Sequence, residues 1–157
     1  MVSFYEVHPA RPASEMEWED VLVRYEIAPR ALRAALGDGD LQGPARERLG
    51  DLMRALGVNE RWTQLLFAAM RDRAGVSERP RVEMSQEDPA ALFDRFQRLR
   101  ERNFNEVQRR GLEVWEWRAD APRLGPVTAH QLILASLELD ARTLAEVRQA
   151  LRGTAAV

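Results

Sequence analysis

Thr128-Ala129-His130-Gln131-Leu132-Ile133-Leu134-Ala135-Ser136-Leu137-Glu138-Leu139-Asp140-Ala141-Arg142-Thr143-Leu144 reads as the opening and middle of one helix. Thr128 and Gln131 stand in the capping-box relation, in which each side chain serves the other residue's backbone N–H. Ile133, Asp140, Leu144, Val147 and Leu151 then fall on one side at helical spacing, and Gly153 supplies a stop. A helix gains most of its stability by burying such a stripe, so the partners must lie upstream.

Working outward, the residues from Gly111 to Val127 are polar and without period, and carry Trp115, Trp117, Pro122, Gly125 and Pro126. They read as a long ordered connection before the last helix. Trp115 and Trp117 alternate sides in an extended chain, which places one on the core and the other outside. Asp88-Pro89 announces a third helix, a side-chain cap followed by proline at the first helical position; its core face is Leu92, Phe93, Phe96, Leu99, Phe104 and Val107. A loop from Gly75 to Glu87, holding Pro80, separates it from a second helix running from Pro44 to about Arg73. That helix buries Leu49, Leu52, Met53, Leu56, Leu66, Phe67 and Met70, with Gly57 a modest interruption. The first helix spans Glu15 to Leu36, with Trp18, Val21, Leu22, Tyr25, Leu32 and Leu36 on its apolar face. Pro29 is expected to kink or split it, and Gly37-Asp38-Gly39-Asp40 to end it. Met1 to Ser14, with Pro9 and Pro12, reads as a short N-terminal arm docking through Phe4 and Tyr5.

Four helices with no strand signal predict an all-α fold, a four-helix bundle forming one domain over residues 1–157, with Leu56, Phe67, Leu92, Phe96, Leu132 and Leu144 in one core. The chain is 45% hydrophobic and has no cysteine, which excludes disulfides, thiolate catalysis, iron–sulfur clusters and cysteine zinc sites. All 23 basic residues are Arg, so no lysine Schiff base can form. A net charge of -2 and a pI near 5.8 argue against nucleic acid as a partner. No apolar run of about 18 residues and no leader pattern is present, which predicts a cytoplasmic protein with no membrane partner. Trp18 and Val21, taken as exposed on the first helix, predict a homodimer.

The stretch Gly125-Pro126-Val127-Thr128-Ala129-His130-Gln131-Leu132 leading into Leu139-Asp140-Ala141-Arg142-Thr143-Leu144 resembles the last helix of DinB/YfiT-like proteins. The resemblance extends through all four helices. In that family the last helix carries His-Asp-x-x-His-Leu and the second a His followed five residues later by Glu, and the three histidines hold a divalent metal. Here Asp140, Leu144 and Glu60 are kept, while Ala55, Leu139 and Thr143 occupy the three ligand positions. The resemblance therefore implies a degenerate member with a vestigial metal site at Ala55, Leu139 and Thr143. Alanine and leucine have no donor atom, and a lone threonine hydroxyl is a poor ligand. Neither a metal nor another cofactor is expected, nor any catalytic residue. Of the two histidines, His8 sits in the arm and His130 in an exposed first helical turn, and neither replaces the lost ligands.

Asp140 is expected to be buried and satisfied by an Arg or a tryptophan indole. Asn59, Glu60 and Asp140 are candidate lining residues of the cleft left by the lost metal, with Asn59 and Glu60 alternatively solvated on a long helix. Residues 52–70, with Gly57-Val58, also have the look of a helix-turn-helix, which the apolar Trp62, Leu65, Leu66, Phe67 and Met70 argue against as a groove reader. The expected function is thus non-catalytic: a stress- or damage-associated bundle binding a small molecule or a protein partner. The alternatives are a metal-independent or thiol-dependent transferase or hydrolase-type enzyme of the same family, and a DNA-binding protein.

Overall fold

The computed structural model describes residues 7–37, 41–76, 78–81 and 87–155; Phe4, Tyr5 and Asp38-Gly39-Asp40 lie outside them. Helix α1 (Glu15–Leu36) begins where the Ser14 hydroxyl accepts the Glu17 N–H at 3.1 Å and the Glu17 carboxylate accepts the Ala13 N–H at 2.6 Å. It passes through a buried Pro29 without splitting and stops at Gly37, whose φ of 59° suits glycine. Helix α2 (Gly43–Asp72) has Pro44 in its first turn and is capped by Arg73 in the left-handed conformation. Helix α3 (Pro89–Arg110) starts on proline as expected, but the Asp88 side chain makes no capping hydrogen bond. Helix α4 (Ala129–Ala155) runs past Gly153.

The connection before α4 is ordered, as its sequence suggests, but it also carries regular secondary structure. A 3-10 helix (Gly111–Glu116) leads into a two-stranded antiparallel hairpin, β1 (Arg118–Ala121) with β2 (Gly125–Thr128), pairing Arg118 with Thr128 and Ala121 with Gly125. The expectation of no strand is corrected here. Strands of four residues are too short for alternation to be read. Trp115 and Trp117 do not alternate as an extended chain would: Trp115 lies in the 3-10 helix, half-buried against the same core in which Trp117 is buried.

Helix α1 packs against α3 and α4, and α2 packs against the same two. The starts of α1 and α4 and the ends of α2 and α3 supply one apolar cluster, with Trp18, Phe67, Phe104, Trp117 and Leu132 among its members. Their other halves supply a second, around Leu32, Leu56, Leu92, Phe96 and Val147. The direction of the helices is therefore up, down, down, up, and α1 faces α2 across one diagonal while α3 faces α4 across the other. The single core expected from the periods is in fact two, because a buried polar layer lies between them.

Three further expectations are corrected. Trp18 and Val21 are core residues, 4% and 1% exposed, and it is Met16, Val23 and Ile27 that α1 shows to solvent. Residues 52–70 lie within one uninterrupted helix, so the turn of a helix-turn-helix is absent there. His130 is buried at the head of α4, because the arm folds over it. No helix among the described residues is long and apolar enough to cross a membrane.

The arm is held by its own carbonyls. Gln131 Nε2 donates to His8 O at 3.1 Å, His130 Nδ1 to Pro9 O at 3.0 Å, and Thr128 Oγ1 to Ala10 O at 2.7 Å. The capping box itself forms, with Gln131 Oε1 accepting the Thr128 N–H at 2.9 Å and Thr128 Oγ1 accepting the Gln131 N–H at 3.2 Å. The same two side chains thus start the helix and fasten the arm. Gln131→Ala should cost about 1–3 kcal/mol, since it strands a buried N–H and a carbonyl. Denaturant titration gives the loss, and faster amide exchange over residues 128–131 gives its location.

Candidate functional site

Every helix contributes to the layer that divides the core: Tyr25 from α1, Glu60 from α2, Arg100 and Asn103 from α3, and Asp140 from α4, all buried. Arg100 is 1% exposed, and all three nitrogens of its guanidinium donate hydrogen bonds. Nε donates to Glu60 Oε1 at 2.7 Å, Nη1 to both Asp140 Oδ2 and the Tyr25 carbonyl at 2.9 Å, and Nη2 to Asp140 Oδ1 at 3.0 Å, with Glu60 Oε1 again 2.7 Å away. The cation lies over the Tyr25 ring at 4.3 Å and the Phe96 ring at 5.1 Å. Glu60 Oε2 accepts from Tyr25 Oη at 2.9 Å and from Asn103 Nδ2 at 2.8 Å.

The Tyr25 carbonyl is free for Arg100 because of Pro29. In a helix that carbonyl would accept from the N–H four residues on, and proline has none. Arg100 Nη1 takes up the orphaned acceptor, so the proline in mid-helix has a structural use.

Two carboxylates share one guanidinium, and the protonation of the cluster follows. Burial raises the proton affinity of Asp140, Arg100 opposes that, and the nearby Glu60 adds to it. Burial works against the charge on Arg100, yet Glu60 and Asp140 hold it protonated above its ordinary range. Burial and then Glu60 push Tyr25 well above the usual phenol range, so it stays a donor.

The sequence-predicted residues separate into three groups. Asp140 is satisfied by an arginine, as expected. Glu60 is neither solvated nor at the mouth of a pocket: it is fully buried in the ion cluster, a fate set by a residue 40 positions away. Ala55 is exposed, Leu139 half-buried against the lower cluster and Thr143 buried. Among the described residues no three carboxylate or imidazole groups converge as a metal would require.

Asn59 does line a cleft. One residue before Glu60, it turns toward α4 and donates to Ser136 Oγ at 3.2 Å, while Thr63 one turn on donates to the Asn59 carbonyl at 2.9 Å. A cavity of about 560 Å³ opens over Asn59 and Thr63, walled by Trp62 and Leu132, by residues 78–81 and by the hairpin turn at 122–124. Sequence reasoning missed it because two of its walls, residues 78–81 and 122–124, are brought together by the connections. Ala55, Leu139 and Thr143 take no part in its lining.

No protein-family model matches the chain, and no curated protein matches it.

Two outcomes follow from these contacts. Arg100→Met leaves two uncompensated buried carboxylates and should cost about 3–5 kcal/mol, whereas adding Glu60→Gln and Asp140→Leu should recover most of the loss. Equilibrium denaturation of the single and triple variants measures both, and a near-neutral single variant would contradict the account. His130 is the second case. Its Nδ1 proton is given to the Pro9 carbonyl, its Nε2 is buried without a partner, and burial depresses its proton affinity, with His8 pushing the same way and Glu17 opposing. The unfolded chain therefore takes up a proton at about pH 6.5 that the folded chain refuses. Stability should be full above that pH and fall as pH drops through it. The same titration on His130→Asn should be flatter between pH 7 and 5.

Proposed function

We propose that this chain is a non-catalytic, DinB/YfiT-like four-helix bundle that binds a small molecule in the cleft over Asn59 and Thr63. The observation that carries the reading is the division of the polar residues: Glu60 and Asp140, the carboxylates best placed for chemistry, are both consumed by Arg100, while the cleft beside them stays open with an apolar wall and a polar floor. Pockets of a few hundred Å³ with such linings are the usual seats of small ligands. The resemblance is supported by the four-helix architecture and by the long connection before the last helix. Ala55 and Leu139 lack donor atoms, and Thr143 alone cannot hold a borderline-soft cation.

Twofold pairing belongs to the same reading. Met16, Val23 and Ile27 lie along one stripe of α1 and are 80%, 52% and 40% exposed, a face suited to a second copy.

Native mass measurement of the protein as purified tests these points together. The expected result is a dimer of 17.9 kDa chains carrying a solvent-extractable organic adduct, with elemental analysis finding no stoichiometric zinc, nickel, iron or manganese. One equivalent of metal surviving gel filtration would overturn the non-catalytic reading.

A further inference from the structure

The charged lining of the cleft over Asn59 comes from its two connecting segments and is mostly basic. Arg79 and Arg81 reach it from the segment that follows α2, and Arg123 from the tip of the hairpin; Glu78 is the one acid in its lining. None of these three arginines forms an ion pair with another described residue, unlike Arg33 with Asp94 or Arg48 with Glu146 elsewhere on the surface. Arginines left without carboxylates around a concave surface form a positive field that its low-dielectric walls focus. The opposite wall is apolar, formed by Trp62 and Leu132, with Leu124 standing 43% exposed at the mouth.

Arg123 carries a second, independent signal. Its φ is 69°, the left-handed region that favours glycine and that a long side chain enters only at a cost. The turn needs that conformation, since the Leu124 N–H closes onto the Ala121 carbonyl at 3.1 Å. Glycine would meet the same need without strain, so the backbone gives no reason for an arginine here. Non-glycine residues held in this region gather at functional sites.

From these observations we infer that the cleft takes an amphipathic anion: a small molecule with an apolar body against Trp62, Leu124 and Leu132 and a carboxylate or phosphate head among Arg79, Arg81 and Arg123. Guanidinium groups match both heads through paired N–H donors, so the shared chemistry is a planar or tetrahedral oxyanion on a hydrophobic frame. The inference rests on the small-ligand reading above and names the ligand class for that same site.

Calorimetric titration with 4-butylbenzoate, 4-butylphenyl phosphate and 4-butylbenzyl alcohol separates the possibilities, with NMR shifts at the Trp62 indole reporting where binding occurs. At least one of the two anions should bind at least tenfold more tightly than the alcohol and shift Trp62; which of them is tighter identifies the head group. Arg123→Gly and Arg79→Gln should each weaken the anion at least tenfold. Arg123→Gly relieves the backbone, so its melting temperature should be unchanged or higher, an outcome a merely structural role would not produce. If the alcohol binds as tightly as the anions, the anion inference fails and the small-ligand reading stands. If none of the three binds, both fail. Anion binding that ignores Arg123 and Arg79, or leaves Trp62 unshifted, places the site elsewhere and overturns the inference.

Discussion

A guanidinium on the axis of the bundle, with carboxylates on two sides and aromatic rings over its faces, sets the terms for everything around it. Arg100 reaches Asp140 across one diagonal, from α3 to α4, while Tyr25 reaches Glu60 across the other, from α1 to α2. Sliding any one helix by a turn would move its member about 5.4 Å out of reach. Apolar contacts alone tolerate such a slip far better, because leucine against leucine is nearly the same interaction in either register. The layer thus works as a key to register. The two apolar clusters on either side supply the burial, and the even split of the core is the geometric result of where the key sits.

What the sequence reveals of this arrangement follows the range of the interactions. Helices, the capping box at Thr128 and Gln131, and the buried stripe around Asp140 all depend on residues a few positions apart, and they were legible. The partner of Asp140 was legible only as a type of residue, since Arg100 is one of many arginines and its selection depends on the angle between α3 and α4. Glu60 looked like an ordinary charge on a long helix, because its burial is decided by Tyr25, Arg100 and Asn103, all on other helices. His130 was misread for a related reason: a first helical turn is normally open, and nothing local shows that residues 8–10 fold back to cover it. Pro29 was read as a kink or a split, and what local sequence could not show is the carbonyl it leaves free for Arg100.

The up, down, down, up order also explains why a cleft exists. Because α2 and α3 run in the same direction, the chain between them must travel back along the bundle. That return brings Arg79, Pro80 and Arg81 alongside α2, opposite the hairpin tip that the connection into α4 provides. A bundle of strictly alternating helices with short loops has no such return and would leave this face closed. The irregular connections, and not the helices, therefore build the concave surface, in keeping with the general division between rigid scaffold and variable loops. The ion layer gives that surface a firm floor, since Asn59 directly precedes Glu60, which is locked in the cluster.

The dependence of the layer on all four helices bears on the time course of assembly and disassembly. A partly assembled bundle with one helix displaced would hold carboxylates or a guanidinium in an apolar interior without their partners, and burying an unpaired charge is costly. Arg100 and its partners can therefore close only when the last helix arrives. Interactions that form this late are missing from the transition state, and such interactions slow unfolding without speeding folding. Measured against apolar side chains of the same size the cluster adds little, but its members depend on one another: losing any one leaves a buried charge unpaired, so the two halves of the core are tied to opening together.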